Sequence, residues 1–362
     1  MSTLLDYILW LGDYPFSNVP FQDVDAVILC LLAYIDFSAL FERSNQTLLR
    51  DCQRLIDAGE VRVQGMGKAD AYIQILKAAA SSRRFGRLRM TDYEDILVAE
   101  VPIQFSAVTF HDDGGWSFIA YRGTDNTLAG WKEDFMISFT LTRAQELARE
   151  YAQKHIGPDR TWYIGGHSKG GNLALYAARK VPLDTLSCIR HVFLLDGPGF
   201  CPKVLPPRGV DAAASKVTRM IPGFSVIGRL FEPKIGNTRI VQSSATGILQ
   251  HDLATWGVDH GKLATLPETD PRSNVIHEIL DNWIGNMNQE DRKIFVDEVF
   301  TALGAGGAET LDELVAKGNN GHEAIRHYFQ KSSESTKRII RDLSHQAIHS
   351  IFEALFHRDR VD

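Results

Sequence analysis

The chain has 362 residues, of which 44% are hydrophobic and 23% are charged, and its formal net charge is -6. This composition is typical of a globular protein, and the length fits one large domain with additions, or two domains. The mild acidity argues against nucleic acid as a main partner, because phosphate binding requires a basic surface.

The cysteines and the N-terminal residues argue against a metal or redox protein, a secreted protein and a membrane protein. The four cysteines form no C-x-x-C motif, so we predict reduced thiols, no metal site and no cofactor. Asp6 and Asp13 stand where a secretory signal would have basic residues. The longest apolar run, residues 26–35, is too short to cross a bilayer. These features predict a cytoplasmic protein without a transmembrane segment.

Residues 1–95 are predicted to form an N-terminal helical region packed on the core. Residues 24–34 are apolar almost all round, which indicates a buried helix. Further helices are predicted at residues 45–58 and 68–81. No cluster of titratable groups in this region indicates catalysis.

Residues 96–262 are predicted to form an α/β core. Apolar and polar residues alternate over 103–109, and an Asp-Asp-Gly-Gly turn at 112–115 predicts a hairpin with 116–121. Helices and apolar strands then alternate, which indicates a mostly parallel central sheet flanked by helices. A helix is predicted at 142–155, followed by a strand that starts at 162. Three further strands are predicted at 189–195, 217–221 and 239–242.

Two segments keep alternative interpretations. Residues 224–237 form either a lid over a pocket or, as we favour, a helix packed on the sheet. Residues 263–362 are predicted to be a C-terminal helical extension, broken by glycine-rich turns at 304–307 and 317–321. This extension could cap the site, form a homo-oligomer or bind a protein partner.

Residues 166–170 read Gly-His-Ser-Lys-Gly, between a predicted strand and a predicted helix. This G-x-S-x-G pattern in a strand–turn–helix context is typical of a nucleophile elbow. The glycines leave room for a sharp turn, and the helix N-terminus favours negative charge developing near the serine. We predict that Ser168 is a nucleophile; the alternative is a structural glycine turn.

A serine nucleophile needs a carboxylate that follows it in the chain. Asp196 ends the strand after the elbow helix, so it should lie at the same sheet edge as Ser168. The alternative is that Asp196 caps a turn. Asp184 precedes that strand and should lie at the opposite edge, and Asp211 has no strand before it.

The serine also needs a histidine base. His251 follows a late strand and a glycine-containing loop, as a base should in this chain order. The alternatives are that His251 is a surface residue and that His260 is the base. His167 is next to the serine but should point away from it in an elbow.

The oxyanion of the tetrahedral intermediate needs two donors. One should be the backbone N–H of Lys169, and the other that of Thr124 in the loop after an earlier strand. Asp134 either anchors this loop or caps a helix.

The residues from Tyr121-Arg122-Gly123-Thr124 to Trp131 and Asp134, together with residues 166–174, resemble the fungal-type (class 3) lipases of the α/β-hydrolase superfamily. Lys169 replaces the leucine usual in those lipases. The chain resembles more closely the Mbeg1-like family of lipase-like bacterial proteins. The motifs shared with that family are Lys169 with Asn172, residues 23–26, residues 225–228, and residues 250–252 with Trp256.

The resemblance covers roughly residues 1–260 and implies an α/β-hydrolase fold, with Ser168 as nucleophile, His251 as base and Thr124 at the oxyanion position. The position of the catalytic acid differs from the fungal-type pattern. Those lipases have the acid after the next strand, but residues 220–225 of this chain contain no carboxylate. Asp196 matches the acid position of pancreatic-type lipases.

The favoured function is a serine hydrolase that cleaves a lipid or small acyl ester through an acyl-enzyme. The alternatives are a thioesterase or another acyl-transfer hydrolase, and a non-catalytic binding or scaffold protein on a hydrolase fold.

Overall fold

The computed structural model describes residues 1–42, 44–64, 69–98, 103–124, 141–201, 211–233, 235–274 and 289–308, with short stretches at 132, 136–137, 277–278, 313, 323, 327–328 and 330–331. Trp131, Asp134 and most of the predicted C-terminal helices lie outside the described residues, so those predictions remain untested.

Among its described residues the N-terminal region contains five α-helices, but it is not all helical. A capping box between Thr3 and Asp6 starts the first helix, and the second helix is buried along almost its whole length. The helices are α1 (Leu4–Leu11), α2 (Asp23–Leu32), α3 (Ser38–Phe41), α4 (Gln53–Ala58) and α5 (Ala69–Ser81).

Two strands lie within the region predicted to be helical. Strand β1 (Gln46–Leu48) occupies the start of the helix predicted at 45–58, and β2 (Arg89–Val98) runs across residue 95. The helical prediction is therefore wrong for these residues. Both strands are stabilised by antiparallel pairing that local propensity does not reveal: β1 pairs with β2, and β2 pairs with the next strand along the chain. The division into three regions remains a prediction.

The central sheet has nine strands within the described residues. The strands after β2 are β3 (Ile103–His111), β4 (Trp116–Tyr121), β5 (Thr161–His167), β6 (Ile189–Leu195), β7 (Val217–Pro222), β8 (Thr238–Val241), β9 (Val258–Asp259), β10 (Lys262–Leu263) and β11 (Thr265–Leu266). The order in the central sheet is β1-β2-β3-β4-β5-β6-β7-β8-β11, and the pairings from β4 to β8 are parallel. Strands β9 and β10 pair separately. The predicted hairpin is confirmed, with Gly115 in a left-handed conformation at its turn.

Side chains alternate between the two faces of the sheet, and each face is covered by helices. On one face Phe110, Phe118 and Phe193 pack against the N-terminal helices. On the other, Ile119, Ile164 and Leu194 pack against the helices that connect the strands. The later helices are α6 (Arg143–His155), α7 (Lys169–Lys180), α8 (Leu183–Cys188) and α9 (Gln289–Gly304). This mostly parallel sheet with helices on both faces agrees with the predicted α/β-hydrolase fold.

Residues 224–237 do not form the helix that we favoured. The described part is a buried loop with a single 3-10 turn at Ile227–Arg229. Its apolar residues Phe224, Ile227 and Leu230 are buried against the core. Hydrogen bonds to other parts of the chain hold the loop in place. One of them runs from the Gly199 N–H to the Leu230 carbonyl oxygen, at 2.9 Å.

Among the described residues, no helix combines the length and the apolar character that a membrane span requires.

Candidate active site

Ser168 occupies a sharp turn between β5 and α7. Its backbone has φ 58° and ψ -126°, a conformation that residues with a side chain rarely adopt, and Lys169 begins the helix. A Cβ on Gly170 would overlap the carbonyl of Tyr121, and one on Gly166 would overlap the backbone of Gly170. The two glycines therefore allow the strand and helix to approach closely around the serine.

Ser168, His251 and Asp196 form a continuous hydrogen-bonded chain. The Ser168 Oγ lies 2.9 Å from the His251 Nε2, and the His251 Nδ1 lies 2.6 Å from the Asp196 Oδ2. All three residues are at most 3% exposed. The structure thus brings together the three residues that the sequence pattern selected, in the arrangement of a nucleophile, a base and an orienting acid.

Asp196 is held from two sides. It follows β6 with a positive φ of 43°, and its N–H donates to the Met220 carbonyl at 2.7 Å. The Asp196 Oδ1 accepts a 2.5 Å hydrogen bond from the Ser225 Oγ, which leaves Oδ2 for His251. A Cβ on Gly228 would overlap Oδ1, so glycine is required for this close approach. Residues 225–228 carry part of the family resemblance, but the sequence pattern does not predict their contact with Asp196.

The loop after β4 reaches the serine. A Cβ on Gly123 would lie 3.3 Å from the Ser168 Cβ, so Thr124 follows a residue that is in direct reach of the elbow. Thr124 and Lys169 are both buried. Convergence of their N–H groups on one point near the Ser168 Oγ remains a prediction.

The competing acids and base have other partners. Asp211 pairs with Arg179, and Asp184 lies in α8, before β6 rather than after it. The Asp252 Oδ1 accepts bonds from the Tyr72 hydroxyl and the Ala254 N–H, at 2.9 and 3.0 Å. His260 pairs with the neighbouring Asp259, and its side chain is 93% exposed.

His167, the residue before the serine, makes two side-chain contacts that the sequence did not reveal. Its Nε2 lies 2.8 Å from the His251 carbonyl oxygen, and its Nδ1 lies 2.8 Å from the Tyr34 hydroxyl. Burial and the neighbouring His251 hold the pKa of the His167 imidazole well below its usual range. The ring therefore stays neutral and links the elbow to the loop that bears His251.

Within the described part of the chain, His, Cys, Asp and Glu side chains form no group of three or more that could hold a metal ion.

Comparisons with known proteins place the chain in a family. No curated protein matches it. One similar solved structure is the crystal structure of M37 lipase, with a TM-score of 0.32 and 14% identity over 58% of this chain and 70% of that one. The model of the Mbeg1-like family matches residues 79–301, which is more than half of the chain. The chain therefore belongs to the Mbeg1-like family.

Proposed function

We propose that this protein is a serine hydrolase that cleaves carboxylic (acyl) esters through an acyl-enzyme. The observation that carries the proposal is the buried chain from the Ser168 Oγ through the His251 imidazole to the Asp196 carboxylate, with separations of 2.9 and 2.6 Å. The substrate is a small-molecule or lipid acyl ester, and the proposed reaction needs water but no cofactor.

In the first half-reaction the Ser168 Oγ attacks the ester carbonyl carbon while His251 Nε2 takes the hydroxyl proton. Asp196 accepts the Nδ1–H, which fixes the tautomer of His251 and stabilises the imidazolium. The N–H groups of Thr124 and Lys169 are assigned to the oxyanion. The tetrahedral intermediate collapses, and the alcohol leaves with the proton from Nε2.

In the second half-reaction His251 takes a proton from water, whose oxygen attacks the acyl-enzyme carbonyl. The second tetrahedral intermediate releases the carboxylic acid and returns the proton to the Ser168 Oγ. The Ser225 hydrogen bond keeps the Asp196 carboxylate oriented through both steps.

The first test is covalent labelling with a fluorophosphonate probe. Wild-type protein should be labelled, and Ser168→Ala should not, because the probe bonds to an activated serine. Ser117→Ala serves as the control, since it removes a buried serine hydroxyl whose partners, His111 and Arg160, lie outside the proposed site. Equal labelling of wild type and Ser168→Ala would contradict the assignment, and an unlabelled wild type would favour a binding or scaffold role.

The second test separates ester from thioester cleavage. A chain-length panel of p-nitrophenyl esters and acyl-CoA thioesters is assayed with wild type and Ser168→Ala. We expect Ser168-dependent release from the p-nitrophenyl esters, with kcat/KM highest at one acyl length. Cleavage confined to the acyl-CoA series would replace the ester assignment with a thioesterase.

A further inference from the structure

The imidazole of His167 has its tautomer fixed by its two partners. A backbone carbonyl oxygen can only accept, so the His167 Nε2, 2.8 Å from the His251 oxygen, carries the ring proton. The neutral ring then leaves Nδ1 as an acceptor for the Tyr34 O–H at 2.8 Å. The Tyr34 hydroxyl therefore orients His167, and His167 holds the backbone of the base.

The neutral state of His167 suits its place beside the base. The centroids of the His167 and His251 rings are 4.4 Å apart. His251 gains positive charge when it takes the serine proton, and a second cation at that distance would oppose this charge.

A second tyrosine holds the next residue of the same loop. The Tyr72 hydroxyl donates to the Asp252 Oδ1 at 2.9 Å, with both side chains buried. The Tyr34 and Tyr72 rings contact each other nearly at right angles, with centroids 6.1 Å apart. Tyr34 follows α2 and Tyr72 lies in α5, so both tyrosines come from the N-terminal helical region.

The loop that receives these bonds lies outside the regular sheet. His251 ends the 3-10 turn Gly247–His251, whose backbone is not paired in a strand. His167, which Tyr34 orients, and Tyr72 therefore hold two consecutive residues, His251 and Asp252, of a segment that lies outside the sheet. The Tyr34 hydroxyl also packs so closely on Gly123 that a Cβ there would overlap it. One hydroxyl thus touches the elbow histidine and the loop that leads to Thr124.

We propose that Tyr34 and Tyr72 are positioning residues that set the distance between the His251 imidazole and the Ser168 hydroxyl, acting through His167 and Asp252. The proposal rests on the proposed function and adds a role for the N-terminal helices, which hold the base from outside the catalytic core. A misplacement of about 1 Å in a catalytic group can cost about 100-fold in rate.

The test compares Tyr34→Phe, Tyr72→Phe and the matched control Tyr7→Phe. Tyr7 also donates a buried hydrogen bond to an aspartate of the N-terminal region, Asp25, at 3.0 Å, but Asp25 is bonded to Arg84 rather than to the base loop. All three variants lose one buried hydroxyl and keep the aromatic ring. Melting temperatures are measured first, and kinetics are run well below the lowest of them.

We expect Tyr34→Phe and Tyr72→Phe to lower kcat for a p-nitrophenyl ester about 10- to 100-fold with KM nearly unchanged. The rate of fluorophosphonate labelling should fall in parallel. Tyr7→Phe should keep the wild-type kcat even if its melting temperature drops as much as those of Tyr34→Phe and Tyr72→Phe. If Tyr34→Phe does not fold, Tyr72→Phe decides, because its partner Asp252 keeps the bond from the Ala254 N–H.

Unchanged kcat in a folded Tyr72→Phe protein, or equal losses in Tyr72→Phe and Tyr7→Phe, would overturn the positioning role alone. A wild-type protein that neither reacts with the probe nor cleaves any ester would overturn the proposed function, and the positioning role with it.

Discussion

Ser168 and Asp196 both adopt positive φ angles, 58° and 43°, although neither is glycine. Such conformations cost about 1–3 kcal/mol each and persist when surrounding structure enforces them. Here the glycines around the elbow and the Ser225 and Met220 contacts at Asp196 provide that enforcement. Two residues of the same hydrogen-bonded chain are thus held in strained backbone conformations, which supports a functional role for both.

At this scale Asp196, the proposed acid, is the most informative residue to change. Asp196→Asn replaces an acceptor of the His251 Nδ1–H with an amide that can donate to Nδ1, so the ring would carry its proton on Nε2 and could not accept the serine proton. We expect turnover to fall roughly 10⁴-fold with folding preserved, as measured by ester hydrolysis and circular dichroism.

Asp252→Asn is the matched control for this substitution. Its amide oxygen can still accept the Tyr72 and Ala254 bonds, so activity should change far less. Near-wild-type activity in a folded Asp196→Asn protein would move the acid to another residue.

At the scale of elements, the elbow depends on contact between β4, β5 and α7. The parallel pairing of β4 with β5 brings Tyr121 opposite Gly166, and the helix passes directly over that pair at Gly170. The space is filled by backbone, so neighbouring side chains cannot move aside to admit a Cβ.

Gly170→Ala should therefore destabilise the protein by at least about 1–3 kcal/mol, and it should lower ester hydrolysis by displacing Ser168. The free energy of unfolding is measured by urea titration. Gly236→Ala is the control, because a Cβ there meets no atom within 4 Å and the backbone φ is not positive. Equal stability of the two variants would show that the elbow tolerates a wider turn.

The N-terminal helices depend on a buried ion pair between α2 and the chain after α5. The Arg84 guanidinium donates to both carboxylate oxygens of Asp25, at 2.8 and 2.6 Å, and to backbone carbonyls of the loop before α2. Both side chains are fully buried. Removing one partner leaves a buried charge without its counterion, which is strongly unfavourable.

Arg84→Met should lower the free energy of unfolding by about 3–5 kcal/mol, measured by urea denaturation. Arg143→Met is the control, because the Arg143–Glu150 pair is about half exposed and its loss should have little effect. A small loss in Arg84→Met, similar to that of the control, would mean that Asp25 is neutral in the folded protein.

At the scale of the whole molecule, the sequence predicted the α/β alternation and the residues that meet at the strand ends. Ser168, Asp196 and His251 could be chosen because each follows a recognisable strand or loop pattern. The chain order serine, acid, histidine then narrowed the choice of acid and base. Strand β1 could not be predicted, since three residues gain strand structure only through pairing with β2. The partners of His167 and Asp252 were also unpredictable. Tyr34 and Tyr72 reach them across 133 and 180 residues of chain, and local patterns carry no information on such contacts.

Two histidines, His167 fully buried and His111 partly buried, make the free energy of unfolding of the whole fold depend on pH. Burial lowers the pKa of His111 to about 4 and holds that of His167 well below its usual range. An unfolded chain titrates these groups near pH 6.5, so below that pH the unfolded state binds protons that the folded state does not. Their stabilising contribution is therefore complete above about pH 6.5 and is lost as the pH falls from there towards 4.

We expect the free energy of unfolding, measured by urea titration, to be flat near pH 7.5 and to decline between about pH 6.5 and 5, above the range of ordinary carboxyl titration. Each fully buried histidine adds a slope of up to about 1.4 kcal/mol per pH unit, and His111 adds less because solvent screens its partly exposed ring. His167→Gln removes one titrating group, so its decline, referred to its own value at pH 7.5, should be shallower. A wild-type stability that stays constant or rises on acidification to pH 5 would show that these imidazoles become protonated inside the folded protein.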